Sequence, residues 1–283
     1  MKNKKSLYAL LTGAPIGCLG GLIGLGGAEF RLPVLVGLFK YSARQAVSLN
    51  LAVSLITLLS SLIFRIPSAP FPKLAPLVPI IIAFIAGGMS GAYIGALYVK
   101  KISEHTLEKV ILVLLLFIGL LLIGESFFPF VTGGISAPFP VLLLTALAFG
   151  IGIGMISSML GVAGGELIIP TLLLVFGVDI KLAGTASILI SLPTVIIGLG
   201  KHYTNGAFTD KKDLSELVLP MGIGSIIGSL IGGMLIIYIP GNWLKLILGL
   251  ILIISAVKIF NKVRKKNNKS DSIQEPRTLH PRS

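Results

Sequence analysis

Charged residues are scarce in this chain. Asp, Glu, Lys and Arg make up 12% of its 283 residues, against about a quarter in a soluble domain. That scarcity excludes a water-soluble fold, whose amphipathic elements each need a polar face. Cysteine is nearly absent as well: Cys18 stands alone, so no disulfide framework holds a secreted scaffold. There is no G-x-x-x-x-G-K-[ST] phosphate loop, no H-E-x-x-H and no Cys/His cluster. The expectation is therefore a non-enzyme with no cofactor and no metal, and any ATP use would need a partner.

The charge that is present is one-sided, with 24 Lys and Arg against 11 Asp and Glu, a net +13. A basic balance of this size suggests nucleic acid, but no stripe interleaves these cations with aromatics. They gather at Lys2, Lys4 and Lys5, in short gaps, and in the tail from Lys258 to Arg282. That is the pattern of a multi-span membrane protein whose basic residues stay cytoplasmic. The expected partners are the lipid bilayer and a small anionic substrate, with protons and a homo-oligomer also compatible.

Hydrophobic residues reach 54%, in stretches over 7–30, 45–64, 74–99, 110–124, 138–176, 182–200, 217–238 and 246–257. Several attain the ~20 residues that cross a hydrocarbon layer as a helix. Lipid forces the helical choice, because a spanning backbone must satisfy its own hydrogen bonds, and the alternation of a barrel is missing. Two stretches are interrupted by glycine clusters, Gly20 to Gly27 and Gly161 to Gly165. Each reads as a break between a long helix and a short one that ends near Phe39 or Phe176. Ile16-Gly17-Cys18 faintly resembles a lipoprotein cleavage site, but cleavage there would cut into a repeated unit.

The repeat has one constant offset, the separation of Glu29 from Glu166. It pairs Gly13 with Gly150, Gly17 with Gly154, Gly27 with Gly164 and Pro33 with Pro170. Without a gap it continues through Ser54 and Ser191 to Gly87, Gly91, Gly95 and their copies Gly224, Gly228, Gly232. One unit is duplicated. If each broken region doubles back, the N-terminal lysines, Lys40, Arg44, Lys100, Lys101, Lys109, Lys201, Lys211 and Lys212 all fall inside. Arg65 and Lys73 are then exceptions in an outside loop. The expected fold is an all-α polytopic membrane protein of two inverted repeats, each a glycine-broken helical hairpin plus about three transmembrane helices. Its parts are a cytoplasmic N-terminus 1–6, repeats at 7–124 and 138–260, an extracytoplasmic connector 125–137, and a basic cytoplasmic tail 261–283.

Inverted repeats with interrupted helices suit secondary transporters, whose substrate sits at mid-membrane where the breaks meet. Candidate site residues follow from that placement. Glu29 and Glu166 lie in the first turn of the short helices, where a carboxylate complements the helix start. A charge inside the membrane costs some 2.5–3.5 kcal/mol, so proton handling or gating is the preferred reading. Gly26, Gly27, Gly164 and Gly165 offer backbone N–H groups that favour an anion. Arg31, whose copy is Ile168, either clamps an oxyanion or forms an internal pair. Asn50, Ser54, Ser187 and Ser191 either line the pathway or bond helix to helix. The Gly87 and Gly224 series reads as close helix packing, and His202 as a surface histidine.

These residues carry a family resemblance. Gly24 to Pro33 and the copy Gly161 to Pro170 resemble the duplicated glycine-rich signature of the sulfite exporter TauE/SafE family, and Lys201-His202-Tyr203 before Asn205-Gly206 is similar to its central loop. The likeness spans about residues 7–260 and departs at Ala28 and Arg31. It implies a multi-pass permease of a bacterial or archaeal inner membrane for sulfite, sulfonates or related anions, and the loop charge expects both termini to be cytoplasmic. An anion channel is the alternative, and an integral-membrane enzyme a more distant one.

Overall fold

The computed structural model describes residues 2–65, 71–98, 104–128, 134–160, 162–204, 211–254 and 256–257. Gly161, Lys100, Lys101, the Asn205-Gly206 turn and the basic tail lie outside these described residues. Among them every regular element is helical. The first half comprises α1 (Lys2–Ile23), α2 (Ala28–Gly37), α3 (Ala43–Arg65), a short α4 (Phe71–Leu74), α5 (Val78–Tyr98) and α6 (Glu104–Phe127). The second comprises α7 (Phe139–Leu160), α8 (Gly165–Leu174), α9 (Ile180–Thr204), a short α10 (Lys211–Asp213), α11 (Leu219–Leu235) and α12 (Gly241–Ile254). Among the described residues, six apolar segments of 20 to 25 residues are long enough to cross a membrane.

The duplication is visible in the element boundaries. Moved by the offset that carries Glu29 onto Glu166, α1 becomes Phe139–Leu160 and α2 becomes Gly165–Leu174, which are the limits of α7 and α8. The starts of α3 and α6 fall on Ile180 and Gly241, and the end of α5 falls on Leu235.

Glycine determines how these helices pack. In lipid no hydrophobic force draws two helices together, so association depends on close van der Waals contact and hydrogen bonds. A Cβ at Gly13, Gly17 or Gly21 of α1 would meet the carbonyl of Met221, Ser225 or Ser229 on α11. In return, Gly224, Gly228 and Gly232 lie against Leu10, Ala14 and Cys18. The numbers rise together, so α1 and α11 run parallel with backbones in contact. The other half mirrors this, with Gly87, Gly91 and Gly95 of α5 on Leu147, Ile151 and Met155 of α7. Each contact maps onto its counterpart when the repeat offset is added to one residue and subtracted from the other. The two halves thus exchange contacts between the first long helix of one and the third long helix of the other.

The broken regions double back. Gly27 packs on Ile16, and beyond α2 the Tyr41 hydroxyl binds Lys5 and Asp213, so the chain has returned to the start of α1. In the second half the Ile135 N–H, just before α7, donates to the Val175 carbonyl at the end of α8. Arg65 at the end of α3 binds Lys181 and Thr185 at the start of α9, while Leu51 near the other end of α3 meets Gly198. Those contacts make α3 and α9 antiparallel.

Candidate functional site

The two breaks lie in direct contact at the centre of the molecule. A Cβ on Gly24 would meet the Gly184 backbone, one on Gly26 the Ala163 side chain, and one on Gly165 the backbone of Leu25. Gly27 and Gly164 are the N-caps of α2 and α8, with φ of 70° and 80°. A side chain rarely adopts that left-handed backbone, and glycine does so without strain. It brings no capping oxygen, so the helix starts are complemented instead by the first-turn carboxylates of Glu29 and Glu166.

These carboxyl groups, far apart in the chain, are neighbours: the side chains of Glu29 and Glu166 interact. Glu166 is 6% exposed. Beside it the Ser187 hydroxyl lies 3.1 Å from the place a Cβ on Gly165 would take. Gly26, Gly27, Gly164, Gly165, Glu29, Glu166 and Ser187 are thus gathered at one place.

Arg31 is fully buried and faces protein oxygens. One of its terminal nitrogens donates to Ser54 Oγ at 2.9 Å, Asn50 Oδ1 at 3.3 Å and the Asn50 carbonyl at 3.5 Å. The other donates to the Gly26 carbonyl at 3.1 Å and Thr57 Oγ1 at 3.0 Å. The Asn50 amide donates to the Ala28 carbonyl at 3.0 Å. Arg31 and Asn50 therefore tie the first break and α2 to α3, and the Arg31 charge interacts with Glu29. Ser191, like Ser187, is completely buried, and neither hydroxyl has a hydrogen-bond partner among the described residues.

By sequence Arg65 falls in a loop as an exception to the charge rule. The structure corrects this and buries it completely at the end of α3. There it donates to the carbonyls of Gly21 and Leu22 at 3.0 Å, to that of Lys181 at 2.9 Å and to Thr185 Oγ1 at 3.3 Å. The positive guanidinium caps the last carbonyls of α1, which carry the negative end of that helix's dipole. Its repeat counterpart is His202, expected to be a surface residue but partly buried, which lies near the backbone of Ser158, the counterpart of Gly21. The repeat offset pairs both couples, so the sequence held the signal. It also pairs Thr57 with Thr194, one turn beyond Ser54 and Ser191.

The model of the sulfite exporter TauE/SafE family matches residues 1–122 and 146–282. A protein of Haemophilus influenzae described as a probable membrane transporter protein is 27% identical over 266 residues, covering 90% of this chain and 98% of its own length. No solved structure matches. With its glycine-broken helices duplicated and the family match running through both copies, the chain belongs to the sulfite exporter TauE/SafE family.

Proposed function

We propose that this membrane transporter is a secondary carrier for a small oxyanion, sulfite or an organosulfur or carboxylate relative, coupled to protons and working by alternating access. The observation that carries the reading is the interaction between Glu29 and Glu166. Two neighbouring carboxylates away from water do not both ionise, so the pair retains a proton. When the repeats move apart, the pair separates and the contact between the starts of α2 and α8 opens. The N–H groups after Gly26, Gly27, Gly164 and Gly165, with Ser187 alongside, then suit an anion. Protonation of the two carboxyl groups removes negative charge from beside those N–H groups, so a proton and an anion bind together.

Arg31, Asn50 and Ser54 have a holding role in this reading, since their polar groups bind one another and the break. The antiparallel course of α3 and α9 supports inverted repeats, with the Tyr41 end and both termini cytoplasmic in an inner membrane. The test is flux of sulfite, sulfoacetate, sulfate and acetate into liposomes holding the purified protein, with and without an imposed pH gradient. Gradient-stimulated uptake of one anion class supports the carrier. Conductive flux indifferent to the gradient would make the protein a channel.

A further inference from the structure

The helices that lie closest together come from different copies of the repeat. Every glycine of α5 lies against α7 or α9, and every glycine of α11 against α1 or α3. In each case the partner belongs to the other copy. Hydrogen bonds follow the same division: Ser225 Oγ on α11 donates to the Gly13 carbonyl at 3.3 Å, and Ser229 Oγ to Ser60 Oγ on α3 at 2.7 Å. One buried core joins Ala9, Leu35, Val53 and Met221, from α1, α2, α3 and α11. Another contains Phe84, Ile153, Ile169 and Ile190, from α5, α7, α8 and α9. Of residues 1–65, the buried members of that second core are Leu22, Ile23 and Leu25 alone, beside the first break. A third core, with Leu51, Leu58, Ile188 and Val195, fills the seam where α3 meets α9. Arg65 crosses this seam at one end, from the carbonyls of Gly21 and Leu22 to Lys181 and Thr185. Elsewhere the seam is made of apolar side chains, and the glycines that bring main chain against main chain across it are those of the breaks, Gly24 on Gly184 and Gly165 on Leu25.

We propose that the bodies which move against each other are two mixed bundles, α1, α2 and α3 with α11, and α7, α8 and α9 with α5, and not the two sequence repeats. Backbones in contact over successive turns cannot slide without collision, and separating them forfeits close packing that lipid does not replace. Each such pair therefore moves as one piece. Side chains in a seam re-pack by changing rotamer, which permits the small sliding and rocking of packed helices. The α3–α9 seam and the meeting of the breaks are the surfaces that open. Glu29 lies in the first bundle and Glu166 in the second, so that opening parts them. The inference rests on the alternating-access reading and names its moving parts.

Four exposed positions test it: Leu7 on α1, Leu97 on α5, Leu144 on α7 and Met234 on α11. Each is changed to Cys in a Cys18→Ala background of the full-length protein and spin-labelled in pairs. Distances between labels are measured in liposomes by pulsed electron resonance, at acid and neutral pH, with and without sulfite. The pairs Leu7 with Met234 and Leu144 with Leu97 join different repeats within one bundle, and their distances are expected to stay fixed. The pairs Leu7 with Leu97 and Leu144 with Met234 lie within one repeat but in different bundles, and theirs should shift by more than about 2 Å between conditions. A cross-link gives a second measurement. A Cβ on Gly88 would lie 4.0 Å from that of Thr194, within disulfide range. Gly88→Cys with Thr194→Cys joins the two repeats inside one bundle, and the shifts should persist when that pair is oxidised. A shift in either within-bundle pair, no shift in any pair, or shifts lost on oxidation and restored by reductant would overturn the proposal. Flux is not the readout, so bundles that move in a protein carrying no anion would remove the carrier reading and leave this one standing.

Discussion

Glu29 and Glu166 occupy the same position in two copies of one unit, and the fold makes their carboxyl groups neighbours that interact. Neither side chain is placed there by local sequence alone. Each is delivered by a glycine-started helix whose first turn lies where the two breaks meet. A pair that shares a proton acts as one unit, so its members are coupled. Glu29→Gln and Glu166→Gln should each abolish stimulation of anion flux by a pH gradient, and the double variant should be no worse than either single one. Flux measured at matched protein density checks this, and additive losses would show two independent groups.

Arg31 is tied to α3 and the break by five hydrogen bonds. Arg31→Ile copies the second repeat at that position but leaves Asn50, Ser54 and Thr57 with buried groups to satisfy. A loss of about 3 kcal/mol or more is expected. Thermal unfolding in detergent measures it. Full stability together with weaker anion binding would instead place Arg31 at the substrate.

Arg65 closes the end of α1 against the start of α9. Arg65→Met removes the donor to the carbonyls of Gly21 and Leu22 and should lower stability by about 3 kcal/mol. Arg65→His, which copies His202, should lose less because it can still reach one carbonyl. Equal unfolding temperatures for wild type and both variants would remove the capping role.

The contact between α1 and α11 is a backbone contact. Gly17→Leu would drive a side chain into the Ser225 main chain, whereas a Cβ on Gly37 meets nothing within 4 Å. The first variant is expected to lose about 3 kcal/mol or more and the second, as Gly37→Ala, to fold normally. Monodispersity after detergent extraction separates them, and a well-folded Gly17→Leu would contradict the close packing.

Much of this arrangement is legible in the sequence. The constant offset between the copies anticipates the element boundaries, down to the match of Ala28–Gly37 with Gly165–Leu174. The glycine spacing of Gly87, Gly91 and Gly95 marks a packing face, although spacing does not say that the partner is α7 of the other half. Partner choice depends on the three-dimensional exchange of helices, which no local pattern carries. Arg65 reads as the flank of a span because it follows the last apolar residue of one. Only its contacts with Gly21 and Lys181, distant in the chain, show that the end of α3 is enclosed.

The side assigned to each end can be read by labelling. In a Cys18→Ala background, Ser42→Cys should react only from the cytoplasmic face, and Tyr238→Cys, 81% exposed just beyond the far end of α11, only from outside. Reaction of both from one face would reject the inverted arrangement.

The most direct measurement is proton movement itself. Liposomes loaded with a pH-sensitive dye report internal pH while sulfite is added at zero membrane potential, for wild type and for Glu166→Gln. The account predicts a proton flux that accompanies sulfite in the wild type and vanishes in the variant while the protein stays folded. Sulfite-driven proton movement of equal size in both would contradict it.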